Sequence, residues 1–253
     1  MPTGIAAYTA IPLGFTVGLL IGLTGVGGGS LMTPALVFLG VPPVVAVGSD
    51  LLYATLTRLV GVTVYGRRGR IRFDIASRLI LGSIPAVILG GLLLRMLPME
   101  ALNLALRYIL GLVLVSTSLL ALAEREVPLP VRPRKKHAIL AGFIVGLAVQ
   151  FTSVGAGALV GFAMLHIAKL DPRDVVGTSI FYGLVLGVLS FANYALLGSV
   201  DYRLAALLAL GTVPGVLLGS WLSVRTDPRA LKRVLNMVIL VIGLLLLVSP
   251  KHF

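Results

Sequence analysis

Long apolar stretches constrain this chain more than any other feature of its sequence. A helix needs about 20 apolar residues to cross the hydrocarbon core of a bilayer. Five stretches reach that length, and a sixth lies near the C-terminal end. Only 12% of the residues are charged, against about 25% in soluble domains. The sequence therefore predicts an all-α polytopic membrane protein. The predicted spans are 44–66, 74–97, 100–122, 174–197, 202–223 and 231–249.

Several classes of chemistry are excluded by composition. The chain contains no cysteine, which rules out disulfides, thiolate catalysis and cysteine-ligated metal sites. Its three histidines, His137, His166 and His252, are scattered along the chain, so no metal cluster is predicted. A G-x-S-x-G elbow is missing, as are paired histidine and acidic residues within the apolar stretches. We therefore predict neither enzymatic activity nor a cofactor.

The formal net charge is +12, a value also found in proteins that bind nucleic acid. Here the basic residues occupy short gaps between apolar stretches rather than one polar face. We interpret the charge as a signal of membrane topology. The expected partners are the lipid bilayer and a small solute, and nucleic acid is not one of them.

The second half of the chain repeats the first. The repeat is in register at an offset of 128 residues and, after one inserted residue, at an offset of 129. This self-similarity predicts two copies of one unit, the first at 1–123 and the second at 138–253, joined by a basic linker at 124–137. The matched pairs include Gly14 with Gly142, Gly18 with Gly146, Val26 with Val154, Pro43 with Pro172, and Gly90 with Gly219.

Charge indicates that the two copies have opposite orientations. Cytoplasmic loops are enriched in Lys and Arg. The loop at 67–72 is strongly basic and its repeat partner at 201–203 is not, whereas the loop at 95–100 is nearly neutral and its partner at 225–233 is basic. Corresponding loops therefore lie on opposite sides, as in an inverted-topology repeat. We expect an inner-membrane protein with a cytoplasmic linker at 124–137 and both termini extracytoplasmic.

Each copy begins with an apolar stretch that glycines interrupt, at 4–40 and at 138–169. Inversion requires each stretch to enter and return on one side, either as a re-entrant hairpin or as two short crossings. Non-helical backbone is tolerated in a bilayer only where protein or water covers it, so we expect the two breaks to face each other. Ser30 is expected to cap a half-helix that runs to about Gly40 and points its N-terminus at mid-membrane.

Helix N-termini carry partial positive charge and attract anions, so the breaks predict a site for a small anion. The alternative is that the glycines serve close helix packing, which we favour for Gly14, Gly18 and Gly22. The candidate binding residues are Thr24, Gly25, Gly27, Gly28, Gly29 and Ser30 at the first break, Gln150, Thr152, Ser153, Gly155 and Gly157 at the second, and Ser49, Arg58, Thr178 and Ser179 in the following helices.

Two charged residues stand out within predicted spans. Asp50 is costly in lipid and must face a partner or a water-filled cavity. It either carries a coupling proton or pairs with a base. Arg58 has Gly187 as its repeat partner, and it either attracts or gates an anion or extends its side chain toward the membrane surface.

Five segments together form a recognisable pattern, namely GLTGVGGGSLMTPAL at 22–36, AVGSDLLYATLTR at 46–58, GRIRFD at 69–74, SVGAGAL at 153–159 and VVGTS at 175–179. They resemble the TauE/SafE sulfite exporter family of membrane transporters, also called the TSUP or 4-toluene sulfonate uptake permease family. The resemblance covers essentially the whole chain. This sequence departs from the family pattern at GSD, where the first copy would read GTS, and at Arg58.

The resemblance implies a secondary transporter of a small sulfur-containing anion, such as sulfite or an organosulfonate. The family's glycine-rich motif falls on Gly25 to Ser30 and on Ser153 to Gly157, and its GTS-like motif falls on 48–50 and 177–179. We expect an exporter that works by alternating access around a midplane site, with protons as a possible coupling ion. A passive anion channel built on the same site is the alternative.

Overall fold

A computed structural model describes residues 7–24, 28–67, 71–122, 135–155, 157–164, 172–223 and 228–248. This part of the chain is almost entirely helical and contains no β-strand, which confirms the all-α class. The helices are α1 (Ala7–Thr24), α2 (Gly29–Phe38), α3 (Pro43–Arg67), α4 (Phe73–Met96), α5 (Met99–Leu122), α6 (Lys135–Thr152), α7 (Ala158–Phe162), α8 (Pro172–Leu196), α9 (Tyr202–Ser223) and α10 (Pro228–Val248).

Five helices are long and apolar enough to cross a membrane, namely α3, α4, α5, α8 and α9. They match five of the six predicted spans. The sixth lies in α10, whose apolar stretch, Arg233–Val248, is shorter. Large apolar side chains such as Leu81, Leu112, Leu210 and Leu217 are exposed on the outer faces of these helices, as lipid contact requires. The protein is therefore a polytopic helical membrane protein.

Both glycine-interrupted stretches form a helix, a break and a shorter helix, α1 with α2 and α6 with α7. The ten residues of α2 extend about 15 Å, half the thickness of a hydrocarbon core. The expectation that Ser30 caps α2 is wrong. The carbonyl of Gly28 already accepts the N–H groups of Leu31 and Met32 at 3.1 and 2.9 Å. Gly28 is thus the N-cap, and Ser30 lies in the first turn.

The helices pack in four main pairs. α1 lies along α9 and α6 lies along α4, each pair running in parallel, whereas α3 with α8 and α5 with α10 run antiparallel. Gly14, Gly18 and Gly22 of α1 face the backbone of α9 so closely that an added Cβ would overlap it. These three glycines serve packing, as the sequence indicated.

Some contacts occur twice in the bundle, with the residues of one contact related to those of the other by the repeat offsets of 128 and 129. Thr212 Oγ1 donates to the Gly14 carbonyl at 3.0 Å, and Ser83 Oγ donates to the Gly142 carbonyl at 2.7 Å. Each hydrogen bond joins the first copy to the second, because α1 packs on α9 and α6 packs on α4. The division into copies at 1–123 and 138–253 stays a prediction, and each of these two helix pairs contains one helix from each range.

We predict that Gly211→Ala destabilises the fold. A Cβ at this position would lie 2.9 Å from the backbone nitrogen of Phe15, so α1 and α9 must separate, and such overpacking costs about 1–3 kcal/mol. Thermal unfolding in detergent should show a lower Tm. Gly66→Ala is the matched control, because its Cβ would meet only the Ile71 side chain at 3.7 Å. Equal Tm values for the two variants would contradict this account of the packing.

Candidate functional site

The two helix breaks meet inside the bundle. Gly29, at the start of α2, lies against the backbone of Ser153, at the end of α6, and a Cβ on Gly29 would come within 2.9 Å of the Ser153 carbonyl carbon. Helix α9 begins beside the N-terminal part of α3, and α4 begins beside the N-terminal part of α8. Because α3 and α8 are antiparallel, α9 and α4 begin at opposite sides of the bundle. Helix α1 runs parallel to α9 and α6 runs parallel to α4, so α1 and α6 reach this point from opposite sides. The breaks thus face each other, as expected from the cost of exposed peptide groups.

Asp50 of α3 lies beside this junction. It is fully buried, and its Oδ2 accepts a hydrogen bond from Thr33 Oγ1 of α2. Its Oδ1 has no hydrogen-bond partner among the residues that the structure describes. Within the same part of the chain no base forms an ion pair with Asp50. A buried carboxyl oxygen without a partner is costly, so it is a candidate for contact with a ligand or a proton.

Ser153 combines a strained backbone with an unused hydroxyl. Its φ is +59°, the one positive value outside glycine in the described ranges, and a left-handed conformation costs an L-residue about 1 kcal/mol. Glycine usually occupies such helix ends. The residue is 1% exposed, and its hydroxyl lies beside the Asp50 carboxyl group and makes no hydrogen bond of good geometry to another described residue. Strain of this kind is concentrated at functional positions.

Sequence reasoning missed Thr33 and Tyr53. Thr33 binds Asp50, and the buried Tyr53 places its hydroxyl near Gly28, where an added Cβ would be 3.7 Å from the oxygen. A signal was present, because Thr33 lies four residues after Gly29 and Tyr53 lies three after Asp50. These spacings share a helix face.

Arg58 lies two turns beyond Asp50 on α3, about 12 Å along the helix axis. Its Nη1 donates to the Gly183 carbonyl of α8 at 2.9 Å. The Arg58 guanidinium group occupies space that is free because its repeat partner, Gly187, has no side chain. A Cβ on Gly187 would lie 3.6 Å from Nη1. Arg58 is partly buried at the α3–α8 interface, and its charge acts on the Asp50 carboxyl group.

Three predicted site residues in α3 and α8 are engaged elsewhere. Ser49 Oγ accepts the backbone N–H of Asp201 at 2.9 Å, and Thr178 Oγ1 accepts that of Arg72 at 3.0 Å. These equivalent bonds fix the starts of α9 and α4. Ser179, the partner of Asp50, donates to the carbonyl of Val176 in its own helix at 2.9 Å. The structure does not bring these three hydroxyls to Asp50.

The remaining candidates shape the breaks. Thr24 and Thr152 donate to carbonyls four residues earlier, at 2.6 and 2.5 Å. Gly155 has a φ of +107°, which side chains rarely adopt, and Gly157 precedes α7 as its N-cap. Ser30 and Gln150 are buried. Gly25 and Gly27 lie outside the described residues.

A multi-pass helical bundle that buries two discontinuous helices around a polar centre has the architecture of a membrane transporter. A family model described as "Sulfite exporter TauE/SafE" matches residues 10–246. The chain belongs to the TauE/SafE sulfite exporter family. It is a membrane transporter, and not an enzyme, as the sequence predicted.

Curated relatives carry transporter names. "Probable membrane transporter protein YjnA" of Bacillus subtilis (strain 168) is 39% identical over 253 residues, covering 95% of this chain and 100% of the relative. "Probable membrane transporter protein YdhB" of the same organism is 26% identical over 239 residues, covering 92% of this chain and 97% of the relative. No solved structure matches the chain.

We predict that Ser153→Gly leaves the protein at least as stable as the original. Glycine adopts a positive φ without the steric cost that serine carries, so the gain is about 1 kcal/mol if the hydroxyl makes no structural contact. Ser153→Ala keeps the strain and should not gain. Thermal unfolding of the two variants in detergent tests this difference. A lower Tm for Ser153→Gly than for Ser153→Ala would contradict the account of backbone strain, and a lower Tm for both variants than for the original protein would show that the hydroxyl supports the fold.

Proposed function

We propose that this protein is a secondary transporter that exports a small sulfur-containing anion, sulfite or an organosulfonate, by alternating access around the junction of the two breaks. The observation that carries the proposal is the meeting of Gly29 with Ser153 beside Asp50, where the buried Ser153 hydroxyl and the buried Asp50 carboxyl group lie next to each other. The name of the matching family supports sulfite as the first substrate to test.

The anion would be held by the positive end of α2 and by the Ser153 hydroxyl. The first turn of α2 directs its backbone N–H groups toward the junction, and such helix ends favour negative charge. Gly28 has no Cβ, so the backbone there is open to close approach. The Ser153 hydroxyl supplies a donor from the other break. Donors from two directions suit an oxyanion, whose oxygens all accept hydrogen bonds.

Asp50 would link the anion to a proton. Two negative charges about 4 Å apart repel by roughly 4 kcal/mol at an effective dielectric constant of about 20, so an ionised Asp50 disfavours the anion. A proton on Oδ1 removes this repulsion and turns the oxygen into a donor. Anion and proton thus bind together and cross in the same direction. Export is then driven by the concentration of the anion inside the cell, and each anion leaves with a proton.

Arg58 would draw the anion toward the junction. It is a permanent positive charge inside the bundle, on the α3 half that leads toward the basic 67–72 loop. The positive-inside rule supports placing that loop in the cytoplasm of a bacterial inner membrane, with both termini outside. An anion approaching from the cytoplasm would meet Arg58 before Asp50.

Alternating access would use the relation between the two copies. Equivalent helices, α3 with α8, pack antiparallel, which supports inverted topology for the copies 1–123 and 138–253. In transporters of this type, one half rocks against the other around a fixed site. The equivalent bonds of Ser49 with Asp201 and of Thr178 with Arg72 lie near opposite ends of the α3–α8 pair, where opening must occur.

We predict saturable, proton-linked flux in proteoliposomes. Radiolabelled sulfite, thiosulfate, sulfoacetate and taurine would be tested with and without an imposed pH gradient. Because one pH unit corresponds to about 1.4 kcal/mol per proton, a substrate moved with one proton should accumulate about tenfold on the alkaline side. Accumulation on the acidic side would overturn joint movement, and flux that follows voltage without saturation would indicate a channel.

Asp50→Asn should keep saturable exchange of the same substrate and lose the response to pH, because asparagine cannot carry the proton. Asp74→Asn is the matched control, since Asp74 is an exposed acid in the first turn of α4. A pH response that persists in Asp50→Asn would exclude Asp50 as the proton carrier.

Ser153→Gly and Ser30→Ala should reduce transport without reducing the amount of folded protein. Removing one hydrogen bond to a charged ligand costs about tenfold in affinity. Ser116→Ala is the control, because Ser116 is an exposed hydroxyl of α5 that donates to the Leu112 carbonyl of its own helix. Parallel losses of folded protein and of transport would instead indicate a structural role.

A further inference from the structure

A group of polar side chains lies at the level of the junction, and the proposed function makes no use of it. We name it the amide cluster, formed by Gln150 of α6 and by Ser190, Asn193 and Tyr194 of α8. Tyr194 donates its hydroxyl to the Gln150 carbonyl at 3.0 Å. Asn193 Nδ2 lies 3.5 Å from Gln150 Oε1 and 3.3 Å from the Val87 carbonyl. These contacts join the cluster across α4, α6 and α8.

The packing of α3 against α8 fixes the height of the amide cluster in the bundle. In three contacts between these helices, a Cβ added to a glycine would meet the side chain of its partner. They are Gly48 with Tyr194, Gly187 with Thr55, and Gly61 with Ile180. On this register Asn193 is level with Asp50 to within about 2 Å, and Ser190 lies about 3 Å from the Asp50 level, on the side of Arg58.

Gln150 brings the amide cluster next to the second break. It precedes Ser153 by three residues on α6, and residues at that spacing lie on the same helix face. A glycine of α4 leaves room for the side chain, since a Cβ on Gly90 would lie 2.6 Å from Gln150 Cγ. The cluster therefore forms an uncharged flank of the centre that contains Ser153 and Asp50.

Two donors of the amide cluster have no acceptor. Gln150 Nε2 and Ser190 Oγ belong to fully buried side chains, and neither atom has a hydrogen-bond partner within the described part of the chain. The Val87 carbonyl can only accept, so the Asn193 atom beside it is the Nδ2 donor. That donor requires Oε1 of Gln150 beside it, which leaves Nε2 for another acceptor.

The fold shared by the two copies does not account for these donors. The repeat partners of Gln150 and Ser190 are Gly22 and Gly61, which have no side chain. A buried donor without an acceptor is unfavourable. An anion at the junction would bring acceptor oxygens to both groups.

We propose that the amide cluster selects anions with three oxygens over anions with two. This inference rests on the proposed function, because it assumes an anion held at the junction. The sulfur of sulfite or of a sulfonate carries three oxygens that point in different directions, whereas the two oxygens of a carboxylate lie in one plane with its carbon.

The selection follows from the number of donors around the anion. The N-terminus of α2 and the Ser153 hydroxyl bind two of the oxygens, and Gln150 Nε2 and Ser190 Oγ donate to the third. A carboxylate leaves this last pair of donors without an acceptor. Sites whose buried polar groups are left unpaired discriminate strongly against the analogue that lacks the acceptor.

The test measures the binding of methanesulfonate, acetate and sulfite to the purified protein in detergent, by isothermal titration calorimetry. Methanesulfonate and acetate are both singly charged and both carry a methyl group, but they have three oxygens and two. Gln150→Met keeps the size of the side chain and removes the amide, and Ser190→Ala removes only a hydroxyl. Each variant should bind methanesulfonate and sulfite about tenfold more weakly, and acetate with less than about a twofold change.

Ser116→Ala is the matched control for Ser190→Ala. Ser116 is an exposed serine of α5 that donates to the Leu112 carbonyl of its own helix at 2.7 Å, so its loss should change none of the three affinities. Size-exclusion profiles establish that each variant is folded, and Ser190→Ala keeps the test open if Gln150→Met does not fold.

The outcomes separate this inference from the proposed function. Unchanged affinities in both variants, or equal losses for acetate and the two sulfur anions, would overturn the selective role of the amide cluster alone. An original protein that transports sulfite but binds acetate as tightly would also overturn it. Absence of both sulfite binding and saturable sulfite flux in the original protein would overturn the proposed function.

Discussion

Peptide groups that leave the helix inside a bilayer must be covered, and much of this structure follows from that constraint. Each unsatisfied group costs several kcal/mol in lipid, so a broken helix is stable only when something polar or protein-like lies against it. Here the breaks cover each other at Gly29 and Ser153. The same contact that solves the folding problem creates a polar centre in an apolar bundle. The fold and the proposed function therefore depend on one junction.

Bringing the breaks together requires helices from both copies to interlock. α1 must lie along α9 and α6 along α4, at separations that a Cβ would prevent at positions such as Gly14 and Gly142. The glycines are thus the means by which distant parts of the chain reach the junction. They contribute dispersion contacts and backbone proximity where the hydrophobic effect is absent. Helix α3 then supplies Asp50 to this centre, and α2 supplies Thr33.

The sequence predicted what depends on local composition and missed what depends on distant partners. Apolar length identified the spans, and consecutive glycines identified the breaks. Ser30 was expected to cap α2 because serine favours that position, but the backbone of Gly28 starts the helix earlier. Thr33 was overlooked because its role follows from the way α2 crosses α3 at Asp50. Ser49 was expected at the site, yet its partner, the N–H of Asp201, lies in the other half of the chain.

Comparing equivalent positions separates architecture from chemistry. Ser49 and Thr178 make the same kind of bond in both copies, which is expected of residues that maintain a shared fold. Other positions differ sharply in polarity between the copies. A buried acid, a buried cation or a buried amide without a partner among the described residues costs free energy that its smaller counterpart avoids. Under the proposed function, these unequal positions are where the charge and coupling of transport would be determined. They are Asp50 against Ser179, Arg58 against Gly187, Gln150 against Gly22, and Ser190 against Gly61.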